Sequence, residues 1–153
     1  IIAEEKNFQK CISEAEDLLC FVDNWAVCDC LCPKAFKTAD ASTLLHKAYD
    51  WIDSGRTYFI RFGIKVLMSY FLGEKFSKEY AEKVNEIDSN EYYVKMMQAW
   101  YFATALHYNT DEIIPFFEDG LSNIWVHNKA IQKARESFRV DDSLKEKLKG
   151  LKR

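Results

Sequence analysis

The chain has 153 residues, 48% of them hydrophobic and 15% aromatic, and a formal net charge of −3. That is enough apolar material for one domain with a core of its own, and too much for a disordered tail. Only five Gly and two Pro punctuate it, so long helices are expected in preference to a sandwich of short strands; no apolar run reaches the roughly 18 residues of a membrane span.

The start lacks the basic-then-apolar pattern of a signal peptide, so a cytoplasmic, membrane-free protein is expected. The first residue is Ile, and the chain is read as a single repeat domain, 1–153, forming the C-terminal part of a longer protein. Residues 4–21 place Phe8, Cys11, Ile12, Ala15, Leu18, Leu19 and Val22 at three-and-four spacing, the pattern of one buried helical face. This helix is expected to feed directly into Asn24–Cys32.

In that stretch Trp25 and Asp29 stand four residues apart, which on a helix sets an indole beside a carboxylate. Both groups attract positive charge, the indole through its quadrupole and the carboxylate directly, so the pair suits a cationic ligand or transition state. The plainer alternative makes Trp25 a core aromatic and Asp29 a cap or half of a surface ion pair. Cys28, Cys30 and Cys32 follow an alternate-residue spacing without the paired C-x-x-C of zinc sites; with Cys11 and Cys20 they make an odd number. Reduced thiols packing a helix are expected, and no metal.

Pro33 should end this segment. A second helix is expected from a cap at Ser42 to Ile52, broken by Asp53-Ser54-Gly55. A repeat then emerges. Tyr58-Phe59-Ile60-Arg61-Phe62-Gly63-Ile64 is echoed after 34 residues at Tyr92-Tyr93-Val94-Lys95-Met96-Met97-Gln98, and again at Ile124-Trp125-Val126-His127-Asn128-Lys129. Partner helices are expected at Ser77–Ile87 and Thr110–Phe117. A period in the thirties with two helices per unit is the signature of an all-α, HEAT-like α-solenoid.

In such a stack equivalent helices line one concave surface, so Trp25 with Asp29, Arg61 with Lys65, and Trp100 would come from successive units. Arg61 is placed to fork onto a phosphate, with a surface ion pair as the alternative. For Trp100 the alternative is core packing. The negative total does not exclude a polyanion, because residues 127–153 carry 9 basic and 4 acidic side chains, against 5 and 10 in residues 1–55.

The ordered blocks Trp25-x-x-x-Asp29, Tyr58–Ile64, Tyr93–Trp100 and Trp125–Lys133 together resemble the AlkD-type family of DNA alkylation-repair glycosylases, from about Trp25 to the C-terminus. The resemblance implies HEAT-like helix pairs, no metal or cofactor, and hydrolysis of the N-glycosidic bond of cationic N3- and N7-alkylated purines. It implies groove tryptophans at Trp25 and Trp100, a catalytic carboxylate at Asp29 and a phosphate-gripping guanidinium at Arg61. Lys65, Lys129 and Lys133 would be further phosphate contacts. The partner would be double-stranded DNA containing alkylated bases, met by a monomer through the DNA backbone. Family members usually carry additional helix pairs before the Trp-x-x-x-Asp segment. Two other uses of the same scaffold stay open: a non-catalytic reader of DNA structure, and a protein-binding HEAT solenoid.

Overall fold

The computed structural model describes residues 5–31 and 33–153, and every regular element among them is a helix. Residue 4, where the first helix was expected to begin, and Cys32 lie outside the described residues. The chain divides into two compact units, residues 1–66 and 67–153.

The first unit holds α1 (Phe8–Leu19), α2 (Trp25–Cys30), α3 (Ala35–Thr38), α4 (Ala41–Asp53) and most of α5 (Thr57–Tyr70). Three of these starts are set by side chains that accept orphan backbone N–H groups. Asn7 takes that of Lys10 at 3.0 Å, Asn24 that of Val27 at 3.0 Å, and Asp40 that of Thr43 at 2.8 Å. Asn24 has extended backbone, so α1 does not run into the Trp25 segment as its apolar pattern suggested; the chain turns between them. The start of α4 also differs from the expected cap at Ser42. Asp40 wins that position because its carboxylate binds both the N–H and the hydroxyl of Thr43, and because negative charge is favoured at a helix N-terminus.

Phe36, on α3, sits at the middle of the first unit's core. Its ring lies 5.9 Å from Phe8, 6.1 Å from Trp51 and 6.2 Å from Phe62, and Trp51 and Phe62 meet at 4.8 Å. The buried Trp51 indole donates to Glu16 Oε1 at 2.9 Å, so its one polar atom is satisfied. Helices α4 and α5 cross at Gly63, where backbone approaches backbone.

In the second unit the end of α5 leads through a single 3-10 turn (Gly73–Lys75) to α6 (Lys78–Asn85), α7 (Tyr92–Tyr108), α8 (Thr110–Asp119), α9 (Ile124–Glu136) and α10 (Asp142–Gly150). Helix α7 is central and packs on α6, α8 and α9. Val94, Met97, Ala99, Tyr101, Phe102, Ala105 and Leu106 are buried on nearly every side of it. Two buried polar side chains stitch the loops to this helix. Gln98 Nε2 donates to the carbonyls of Val84 and Ile87, and Asn109 exchanges a reciprocal amide pair with the backbone of Gly73. Buried His127 does the same for the C-terminus. Its Nδ1 accepts from the N–H of Leu121 and its Nε2–H donates to the carbonyl of Leu151 at 2.8 Å.

The helix crossing at Gly63 makes a sharp test. A Cβ there would stand 2.6 Å from the carbonyl oxygen of Ala48 and 2.8 Å from Ile52 Cγ1, and the first of these is backbone that cannot step aside. In an open helix Gly→Ala stabilises by up to about 1 kcal/mol. Here Gly63→Ala should instead destabilise by about 1–3 kcal/mol, the usual penalty of overpacking, read as a lower denaturant midpoint with unchanged slope.

Candidate functional site

Tyr58, Arg61 and Lys65 recur at three-and-four spacing along α5, and all three reach the segment that carries Trp25 and Asp29. Arg61 is 3% exposed, and its guanidinium grips the Asp29 carboxylate with both arms: Nε to Oδ1 at 2.9 Å and Nη2 to Oδ2 at 2.6 Å. Lys65 Nζ donates to the carbonyl of Asp29 and, at 2.9 Å, to that of Leu31, so a cation closes the C-terminal end of α2 where the helix dipole favours it. The Tyr58 hydroxyl donates to the carbonyl of Asp23 at 2.8 Å, just ahead of α2, and the Cys28 thiol lies 3.6 Å from the Tyr58 carbonyl. Arg61, expected to fork onto a phosphate or else to form a surface ion pair, is in direct contact with Asp29. The guanidinium lies against Asp29 rather than at the surface, and Lys65 is engaged by carbonyls. A phosphate on Arg61 would have to share the guanidinium with Asp29.

The Asp29 side chain keeps 13% of its surface open. Each carboxylate oxygen has a second lone pair beyond the one Arg61 engages, so the group is held in a fixed orientation while one edge stays accessible. One turn earlier on α2, Trp25 is 51% exposed. The core tryptophan of this unit is Trp51; the indole of Trp25 faces outward. Beneath the pair, burial and the neighbouring Asp29 carboxylate push the Cys28 thiol up to about 12, against a weaker pull from Arg61 and Lys65. It packs as a neutral apolar group. Cys20 and Cys30 are exposed, and no cluster of ligands able to hold a metal occurs among the described residues.

In the second unit Trp100 is 41% exposed, although its neighbours Ala99, Tyr101 and Phe102 on α7 are buried. It stands between two adjoining clefts of about 680 and 440 Å³, and Thr104 and Arg139 line both with it. Lys133 Nζ lies 5.9 Å from the Trp100 ring centroid, within cation–π reach. A second indole, Trp125, carries two ammonium groups, Lys95 at 5.4 Å and Lys129 at 5.7 Å. Arg139, Lys95 and Trp125 were not singled out from the sequence as site residues. The spacing Trp125, Lys129, Lys133, one residue per helical turn along α9, is the signal that could have found that stripe.

A protein-family model described as DNA alkylation repair enzyme matches residues 1–139. No curated protein and no solved structure matches the chain.

Removing one partner of a buried ion pair strands the other charge, at about 3–5 kcal/mol. Arg61→Ala and Asp29→Ala should each lose stability on that scale, and the double variant should lose clearly less than the sum; a thermodynamic cycle that closes additively would deny the coupling. Iodoacetamide at pH 8 should modify Cys20 and Cys30 and spare Cys28 until the protein unfolds, since the thiolate is the reactive form. Because the folded thiol ionises above its ordinary value of 9.0, Cys28 favours the fold below about pH 9, and that contribution fades as pH rises toward about 12.

Proposed function

We propose, given that the chain belongs to the family of DNA alkylation repair enzymes, that it is a DNA glycosylase with HEAT-like helix stacking that removes cationic N3- and N7-alkylated purines from duplex DNA. The observation that carries the reading is the outward indole of Trp25, one turn before a carboxylate held at both oxygens by Arg61.

An alkylated purine already bears positive charge, so it leaves without a strong general acid. The C1′–N bond breaks with its electron pair going to the base, which departs neutral, and the sugar becomes oxocarbenium-like. Asp29 faces that developing charge with its accessible edge and orients the water that adds to C1′, as carboxylates do in glycoside hydrolysis. The water's proton passes to Asp29 or to solvent, and the products are the free base and an abasic site. Arg61 acts by aiming the carboxylate. Trp25 and Trp100 supply indole faces to the cationic nucleotide, each worth up to about 2 kcal/mol once desolvated, roughly 30-fold in preference over a neutral base. Lys129 and Lys133 are assigned to the DNA backbone, where contacts set register rather than sequence. No step calls for a cofactor.

Release of base from duplex DNA containing N7-methylguanine tests this. The chain should release it, and Asp29→Asn should lower the single-turnover rate by about 10²-fold or more, assayed well below the variant's own melting temperature so that the loss of ion pairing is not misread as loss of chemistry. Trp25→Ala should reduce excision of the methylated base more than its affinity for undamaged duplex. Tight, salt-sensitive binding of DNA with no release by the wild type would replace the enzyme with a reader of DNA structure.

A further inference from the structure

Two ammonium groups share one indole. Lys95 on α7 and Lys129 on α9 both sit over Trp125, with Tyr92 set edge-on to the same ring at 5.8 Å. Their like charges repel. The indole quadrupole compensates part of that repulsion, and Lys129 donates to a neutral partner, Gln132 Oε1, at 2.8 Å. Several other lysines are paired with carboxylates, as in Lys10–Glu5, Lys47–Glu16, Lys78–Glu82 and Lys147–Glu118. Among the described residues Lys95, Lys129, Lys133 and Arg139 carry no carboxylate partner at all.

We infer that Lys95, Trp125 and Lys129 form a seat for a phosphodiester group of the DNA backbone, an inference that rests on the DNA-repair reading and names a contact beyond it. The chemistry of the seat is specific. Trp125, half-buried at the start of α9, is fixed by Asn123, whose side chain accepts the N–H groups of Trp125 and Val126. The ring in turn fixes where two flexible lysine stems end, which lowers the entropy lost when an anion arrives. A phosphodiester carries one negative charge on two non-bridging oxygens, one for each ammonium. Lys133 stands one turn further along α9, over Trp100, so that the stripe can follow a strand from this seat toward Trp100, all within the second unit. A protein partner with an acidic segment would need carboxylates at the same spacing and would not show a polyelectrolyte salt dependence.

The experiment is fluorescence anisotropy of an undamaged labelled duplex with the full chain as salt is raised, for wild type, Lys95→Gln/Lys129→Gln, Trp125→Phe, Trp125→Leu, and the control Lys78→Gln/Lys147→Gln, whose lysines already have carboxylates. Each phosphate neutralised contributes about 0.9 to the slope of log K against log salt. The seat predicts that the Lys95/Lys129 variant loses about one such increment. It predicts that Trp125→Phe keeps the wild-type slope, that Trp125→Leu weakens binding at constant slope, and that the control is unchanged. A steep wild-type slope that the Lys95/Lys129 variant keeps, or that the control loses equally, overturns the seat and leaves the DNA reading standing. A wild type with no salt dependence, or one captured by an acidic peptide as readily as by the duplex, overturns both.

Discussion

Asp29 belongs to a helix that cannot stand alone. Six residues are too few to repay the entropy of nucleation, and α2 buries only Cys28. Its geometry comes from α5, through Tyr58 on the carbonyl of Asp23, Arg61 on the carboxylate of Asp29, and Lys65 on the last carbonyls. Arg61, almost wholly buried, commits both arms of its guanidinium to this carboxylate. The opposite side of α5 is pinned to α4, where Gly63 lets the two backbones touch and Phe62 enters the aromatic cluster. The position of one carboxylate thus depends on a chain of contacts that begins in the core.

That dependence shapes what the carboxylate can do in the proposed reaction. A carboxylate paired with a guanidinium presents less net charge to its surroundings than a lone one. For deprotonating a poor nucleophile this would be a handicap. For facing an oxocarbenium-like sugar the demand is different: the leaving group is already activated by its own charge, and orientation contributes more than basicity. A pair that trades charge for fixed direction suits a substrate that brings its own electrophilicity.

Much of the local structure was legible in the sequence because it is written locally. The starts of α7 and α9 at Tyr92 and Ile124, and to within two residues the spans of α6 and α8, follow from the repeat and its partner helices. The misplaced cap of α4 was a competition between two plausible residues two apart, settled by a carboxylate that could bind Thr43 twice. What could not be read are contacts made 30 to 36 residues away in sequence, such as Cys28 with Tyr58 or Lys65 with Asp29. Spacing placed Arg61 on a helix; only the fold reveals that it points inward at Asp29. Likewise the exposure of Trp25 and Trp100 could not be inferred from residue type, since tryptophan usually buries, as Trp51 does.

The acidic balance of residues 1–55 is a poor guide to the field this chain presents, because pairing rather than counting decides it. In the first unit carboxylates are largely committed. Glu16 serves Trp51 and Lys47, Asp40 caps α4, Asp29 holds Arg61, and Glu5, hydrogen-bonded by Lys10, is drawn down to about 2. Each is spent on a donor close at hand, and at physiological ionic strength such pairs are nearly invisible beyond about 8 Å. The cations around Trp100 and Trp125 are instead set on aromatic rings, which hold a charge in place without neutralising it. A chain with net charge −3 can therefore keep a surface that attracts phosphate. In the proposed seat, Lys95 and Lys129 are held by an indole and no carboxylate pairs with them among the described residues.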